Sequence, residues 1–252
     1  MSLSQILEGP NERKDFRKGR SVPDGYARGW GLQFNGLRQK VAEDKLYQEA
    51  LRHVVGRSVV AEDNRMNLFL ILRDSLKNLE FGHIAEFGSY KGGNALFMAY
   101  VVDRLYPGMR VYAFDTFAGM PPTDASIDAH GAGDFADVDL NELRDYSSKE
   151  GIRNIEFIQG LFDETAPQVL PRIGNIALAH IDCDIYSAVA YSYLAVKPYM
   201  VIDGYVVFDD AIVSSCLGAT EAVEELAIRQ DGLHSEQIFP HFVFRAPRSW
   251  RA

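Results

Sequence analysis

Hydrophobic and polar positions change period along this chain, and the changes divide it into elements. Between Asp44 and Leu79 apolar residues recur three and four apart, at Leu68, Ile71, Leu72, Leu76 and Leu79, which is the spacing of one helical face. Short apolar runs then alternate with helical patterns. The runs at His83–Phe87, Val111–Asp115, Ile155–Ile158, Ile176–Asp182 and Tyr205–Asp209 have strand length and are rich in β-branched and aromatic residues. Helical spacing fills about 92–105, 186–197 and 218–230. The runs Glu236–Ile238 and His241–Phe244 predict two last strands, arranged as a hairpin. Such alternation predicts an α/β fold, a doubly wound, mostly parallel sheet with helices on both faces.

Two stretches break the pattern. Residues 1–45 are punctuated by Gly9-Pro10, Pro23-Asp24-Gly25, Gly29, Gly31 and Gly36, with Arg13, Lys14, Arg17, Lys18 and Arg20 between. Tyr26, Trp30 and Phe34 recur there at spacing four, so the reading is a flexible arm with an aromatic element. We place this arm and a helical extension in residues 1–60, and the main domain in 61–252. The second interruption, about 119–150, opens with Met120-Pro121-Pro122 and carries Asp124, Asp128, Asp134, Asp137, Asp139 and Glu142. A loop this long following a strand end predicts an acidic lid.

Composition narrows the classes. A chain of 252 residues, 47% hydrophobic and 24% charged, suits one large globular domain. A net charge of −9 argues against nucleic-acid binding and favours a neutral or cationic small molecule, or an anion neutralised by metal. Two cysteines, Cys183 and Cys216, sit in no metal-ligand spacing and suit a reducing compartment. The polar start and the short apolar run Ala95–Val102 lead us to expect a cytoplasmic protein without a membrane segment.

The candidate chemistry lies at strand ends. The first strand runs into Glu86-Phe87-Gly88-Ser89-Tyr90-Lys91-Gly92-Gly93, where glycines let backbone approach a ligand facing a helix N-terminus. The order differs from the G-x-G-x-x-G of dinucleotide sites. Asp115 closes the second strand, and a carboxylate there can accept both hydroxyl protons of a ribose. Asp182 and Asp184 close the fourth strand, and Asp209 and Asp210 the fifth. Carboxylates brought that close repel unless a cation neutralises them, and oxygen donors without His or Cys partners favour Mg²⁺, Ca²⁺ or Mn²⁺.

In order from about residue 60 to 245, the segments E-F-G-S-Y-K-G-G, F-D-T-F-A-G-M-P-P, Q-G-L-F-D-E-T-A-P, I-D-C-D-I-Y and F-D-D-A resemble the successive motifs of macrocin-type O-methyltransferases. Those enzymes methylate hydroxyls on the deoxysugars of antibiotics with S-adenosylmethionine, and calicheamicin-type sugar methyltransferases are among them. The resemblance implies a class I, Rossmann-like methyltransferase domain. It implies that Glu86, Gly88, Tyr90, Lys91 and Gly92 line the methionine side of the cofactor. Asp115, with Thr116 beside it, would hold the ribose, and Gln159, Gly160, Leu161 and Phe162 would approach the adenine. Asp184, Asp209 and Asp210 match the family's metal carboxylates, which makes Mg²⁺ the expected cation, while Asp182 stands as a further ligand or as a support beside the cofactor. The implied partners are a small-molecule sugar or glycoside acceptor and further copies of the chain, as a homodimer or higher homo-oligomer.

Direct displacement by a sugar hydroxyl needs a base. Catechol-type relatives use a Lys just after the first metal Asp, where this chain has Ile185. Asp184 is therefore the expected base, with His130 of the lid as the second candidate. Two other classes remain open: a metal-dependent glycosyltransferase holding a nucleotide sugar through its D-x-D, and a non-catalytic nucleoside-binding protein.

Overall fold

The computed structural model describes Leu32 and residues 36–251. The aromatic arm positions Tyr26, Trp30 and Phe34 lie outside the described residues. Two short helices, α1 (Leu37–Ala42) and α2 (Lys45–Leu51), come first, and Asp44 caps α2 by accepting from the Leu46 and Tyr47 amides. Helix α3 (Glu62–Leu70) runs on through a π-helical turn, Ile71–Ser75, into a 3₁₀ turn, Leu76–Asn78. There follow β1 (His83–Phe87), α4 (Gly93–Leu105), β2 (Val111–Asp115), α5 (Leu140–Lys149), β3 (Ile155–Gln159), α6 (Phe162–Ile173), β4 (Ile176–Ile181), α7 (Tyr186–Val196), β5 (Met200–Phe208), α8 (Leu217–Ala222) and β6 (Phe242–Arg245). Helix α8 continues as a π-helix over Val223–Gln230.

The strands form one sheet in the order β3-β2-β1-β4-β5-β6. All neighbours are parallel except β5 and β6, which run antiparallel. Alternate side chains feed two cores. Ile84, Val111, Ala113, Leu178 and Val207 face α1–α4, whereas Phe87, Phe114, Ile158, Ile181 and Phe208 face α6–α8. Phe87 and Phe114 stack at 4.7 Å between ring centroids in the second core. Burial of a side chain of this size stabilises the fold by roughly 1.5–3 kcal/mol. The described part of the N-terminal extension shares the first core, where Tyr47 of α2 packs edge-on against Phe69 and Phe97.

The sheet is the one expected, and four boundaries differ. Strand β5 starts at Met200, because the apolar run is masked in sequence by Asp203 and Gly204. The expected hairpin reduces to β6 and a single bridge, Gln237 to Val243; Pro240 between them has no amide to donate. The last third of the expected lid is helix α5, capped by Asp139, with Leu140 and Leu143 buried. Its acidic composition hid a two-residue apolar stripe. Pro167 and Pro171 likewise obscured α6.

Candidate active site

The sheet order reverses between β1 and β4, and open α/β sheets place ligands in the crevice beyond the carboxyl ends at such a point. The Asp182 amide donates to the Phe87 carbonyl at 2.8 Å, which carries the pairing of β1 with β4 just past the strands. Gly88 follows at φ 86°, and a Cβ there would meet the Asp182 carbonyl oxygen at 1.7 Å. The glycine loop and the acidic strand end are thereby in contact.

Asp115 clamps that loop. Its Oδ2 accepts from the Ser89 and Tyr90 amides, both at 2.8 Å, and its Oδ1 from the Phe117 amide at 2.7 Å. Burial pushes its pKa up, against the pull of those amides. Tyr90 sits in the left-handed region at φ 47°, a strained conformation of the kind concentrated at sites.

Beneath the loop runs a buried polar chain. Glu86, fully buried, accepts from Ser89 Oγ at 2.9 Å and from Asn94 Nδ2 at 2.8 Å. His180 Nδ1 lies 3.1 Å from Glu86 Oε1, and its Nε2 lies 3.2 Å from Asp209 Oδ1. Burial opposes charge on His180, but the hydrogen bonds to Asp209 and Glu86 outweigh it and raise the pKa to about 10, so the ring is an imidazolium between carboxylates. His241 Nδ1 adds a contact to Asp209 Oδ1 at 3.1 Å. Against the effect of burial, His180 and His241 hold Asp209 well below the usual carboxylate range.

The other acids behave oppositely. Burial pushes Asp182 well up, and Asp209, Asp210 and Asp184 add to it. Burial, then Asp184 and Asp209, do the same for Asp210, whose Oδ2 accepts from the Asp184 amide at 3.0 Å. Asp184 stands at φ 59° and its pKa is also raised by burial, with opposition from its hydrogen bond to Cys216 and from the His130 charge. Cys216 Sγ donates to Asp184 Oδ1 at 3.3 Å, and His130 Nε2 lies 3.8 Å from the same oxygen.

A cavity of about 720 Å³ joins these groups, a volume within the usual range for a small-molecule site. Gly88, Tyr90, Asp115, Thr116, Phe162, His130, Asp182, Asp184, Asp209 and Asp210 all line it. Glu86, Lys91, Gly92 and Gly160, expected on the cofactor side, do not. Glu86 is covered by Ser89 and Asn94 and acts through His180. Lys91 turns outward to pair with Asp137, Gly92 packs on Leu143, and Gly160 packs on Thr165. Two further expectations change. The acids have His and Cys neighbours after all, namely His180, His241, His130 and Cys216. They also divide: Asp182 and Asp209 offer oxygens within 4.8 Å of each other and of a His180 nitrogen, whereas Asp184 groups with His130 and Cys216. The division arises because Asp184, one step beyond Cys183 in a left-handed conformation, turns toward the lid. A divalent cation between Asp182 and Asp210 would relieve the repulsion that pushes both up, while His180 already balances Asp209.

Sequence reasoning missed Ser58–Ala61 and Asn64, which wall the cavity from the helical extension, as well as Phe135 and Cys216. None of them lies in a motif; the F-A-G-M-P-P stretch marks only the wall formed by Met120–Pro122.

Comparison with known proteins supplies the family and supports the fold. The profile of the family described as Macrocin-O-methyltransferase matches residues 35–234. The 8-demethyl-8-(2,3-dimethoxy-alpha-L-rhamnosyl)-tetracenomycin-C 4'-O-methyltransferase of Streptomyces olivaceus is 27% identical over 149 residues, covering 55% of this chain and 56% of that protein. The chain thus matches little more than half the length of that relative. The demethyldecarbamoylnovobiocin O-methyltransferase of Streptomyces niveus is 26% identical over 213 residues, 75% of this chain and 76% of that one. In fold, the O-methyltransferase NovP superposes with TM-score 0.57 at 17% identity over 98% of this chain and 97% of that chain. CalS11, a calicheamicin methyltransferase, superposes with TM-score 0.58 at 21% identity over 80% and 93%.

Proposed function

Since the chain belongs to the Macrocin-O-methyltransferase family, we propose that it transfers a methyl group from S-adenosylmethionine to a sugar hydroxyl of a glycosylated natural product in antibiotic biosynthesis. The observation that carries this reading is the contact of the glycine loop with the acidic strand end in one cavity, at Gly88 and Asp182. The two relatives named for O-methylation of a rhamnosyl-tetracenomycin and of demethyldecarbamoylnovobiocin support the acceptor class.

The chain's residues divide the work. Gly88, Ser89, Tyr90, Asp115 and Thr116 offer backbone and carboxylate groups to the ribose and methionine parts of the cofactor, and Phe162 offers a ring to the adenine. Asp182, Asp209 and Asp210 would hold Mg²⁺, which when bound acidifies the hydroxyl and aligns it with the methyl group. His180, fixed between Glu86 and Asp209, keeps Asp209 ionised and oriented. Asp184 takes the hydroxyl proton, and burial, which raises its pKa, makes its carboxylate a stronger base than an exposed one. His130, held at Nδ1 by Asp134 at 3.2 Å, stands behind it. We further read the chain as a homo-oligomer in a cytoplasmic setting. Among the described residues no helix is long and apolar enough to cross a membrane.

A glycosyltransferase would leave the clamped loop at Asp115 without a purpose, and a non-catalytic binder would not need the base. Thermal shift separates the methyltransferase from the glycosyltransferase, and activity separates it from the binder. S-adenosylhomocysteine should raise the melting temperature, and UDP with Mg²⁺ should not. Methylation assays over a panel of deoxysugar glycosides then test the activity itself. A shift with UDP alone would overturn the reading.

A further inference from the structure

We propose that His130, Asp184 and Cys216 form a second, softer cation site in the same cavity, one that takes Zn²⁺ rather than Mg²⁺. Three elements supply the donors: the loop before α5, the end of β4 and the start of α8. Their donor atoms form a closed triangle. Cys216 Sγ is 3.3 Å from Asp184 Oδ1, His130 Nε2 is 3.8 Å from that oxygen, and Cys216 Sγ is 3.9 Å from His130 Nε2. Tetrahedral Zn²⁺ with ordinary bonds to sulfur, nitrogen and oxygen spaces its donors by roughly 3.3–3.7 Å. The observed triangle needs only small rotations to match.

Two independent features support the assignment. His130 presents Nε2 to the triangle while Nδ1 faces Asp134 Oδ2 at 3.2 Å, and a carboxylate behind the far nitrogen is the arrangement that orients metal-bound histidine. All three donors also line the cavity, so the fourth position opens to solvent or to a ligand. The donor set of thiolate, imidazole and one carboxylate is soft, unlike the carboxylates of Asp182, Asp209 and Asp210.

Without a cation, burial pushes the Cys216 thiol up to about 12 and its proton stays on sulfur, donated to Asp184. Coordination removes that proton to solvent and forms the thiolate bond. Occupancy would tie the loop carrying His130 to the sheet and engage Asp184. The consequence for turnover rests on Asp184 being the base, but the site itself does not, and neither does its test.

The test is a Co²⁺ titration of the full chain in excess Mg²⁺, followed by optical absorption. A thiolate-to-cobalt charge-transfer band should saturate at one Co²⁺ per chain and vanish on addition of Zn²⁺. Cys183→Ser, which changes the other cysteine, should keep the band. Cys216→Ser should lose it, and His130→Ala should weaken Co²⁺ binding tenfold or more. Absence of the band in folded wild-type protein would overturn the proposal, as would its survival in Cys216→Ser. Because Cys216 is buried, Cys216→Ser can fail to fold. In that case His130→Ala decides, since His130 is only half-buried on a loop, and unchanged Co²⁺ affinity there would overturn the proposal.

Discussion

Gly88 and Asp182 are in backbone contact, so close that a Cβ on Gly88 would fall 1.7 Å from the Asp182 carbonyl oxygen. No rotamer change relieves a clash with backbone, and φ of 86° is itself hostile to a side chain. Gly88→Ala should therefore part β1 from β4 at their carboxyl ends. We expect destabilisation by more than about 1 kcal/mol and loss of S-adenosylhomocysteine binding. An unchanged melting temperature in differential scanning fluorimetry would contradict this.

Asp115 has a double duty that its position at a strand end alone did not reveal. Its oxygens accept from three backbone amides: the Ser89 and Tyr90 amides fill Oδ2, whereas Oδ1 takes only the Phe117 amide and keeps a lone pair for a ligand hydroxyl. Asp115→Ala should weaken S-adenosylhomocysteine binding by roughly 1–3 kcal/mol, read by calorimetry, and should also lower the melting temperature. Weakened binding with unchanged stability would mean that the clamp on Ser89 and Tyr90 holds without it.

Much of this architecture was legible because strand signals are local. The runs at 83–87 and 111–115 coincide with β1 and β2, and the acids at 182, 184, 209 and 210 lie just past the ends of β4 and β5. What was hidden depended on distant partners. Nothing in I-A-L-A-H-I shows that His180 faces Glu86 across β1. Nothing near Cys216 shows that His130, in a loop far earlier in the chain, comes to meet it. The sheet register made the first meeting, by pairing Glu86 with His180, and the loop path made the second.

His53 ties the end of α2 to α5. It is buried, packs on Tyr100 at 4.8 Å between centroids, and has Nδ1 3.1 Å from Tyr146 Oη. Burial lowers its pKa below 6.5, with Glu150 opposing. The unfolded chain then binds the proton more readily, so this contribution is complete above pH 6.5 and is lost as pH falls through 6.5 toward the folded value. Between pH 7 and 5.5 the wild type should lose stability more steeply than His53→Gln. The difference in slope should be at most about 1.4 kcal/mol per pH unit. Parallel denaturation curves across that window would refute the assignment.

The acids at the two strand ends should separate into kinds when each loses its charge. Asp209 is bound on one oxygen by His180 and His241, so Asp209→Asn strips a buried imidazolium of one of its two carboxylate partners and should destabilise the fold. Asp182 and Asp210 have pKa values raised by burial and by neighbouring acids, and an amide there removes repulsion as well as a ligand. Asp182→Asn and Asp210→Asn should keep or gain melting temperature without metal, lose Mg²⁺ affinity, and recover part of their turnover in excess Mg²⁺. Asp184 stands apart, turned toward Cys216 and His130. Asp184→Asn should lose about 10²–10⁴-fold in turnover that no amount of Mg²⁺ restores, with S-adenosylhomocysteine affinity unchanged. Single-turnover methylation with calorimetry on the same variants checks all four together. Full activity after EDTA treatment would remove the cation from the scheme. Near-normal turnover in Asp184→Asn at saturating Mg²⁺ would move the base to His130, where His130→Gln should then carry the loss.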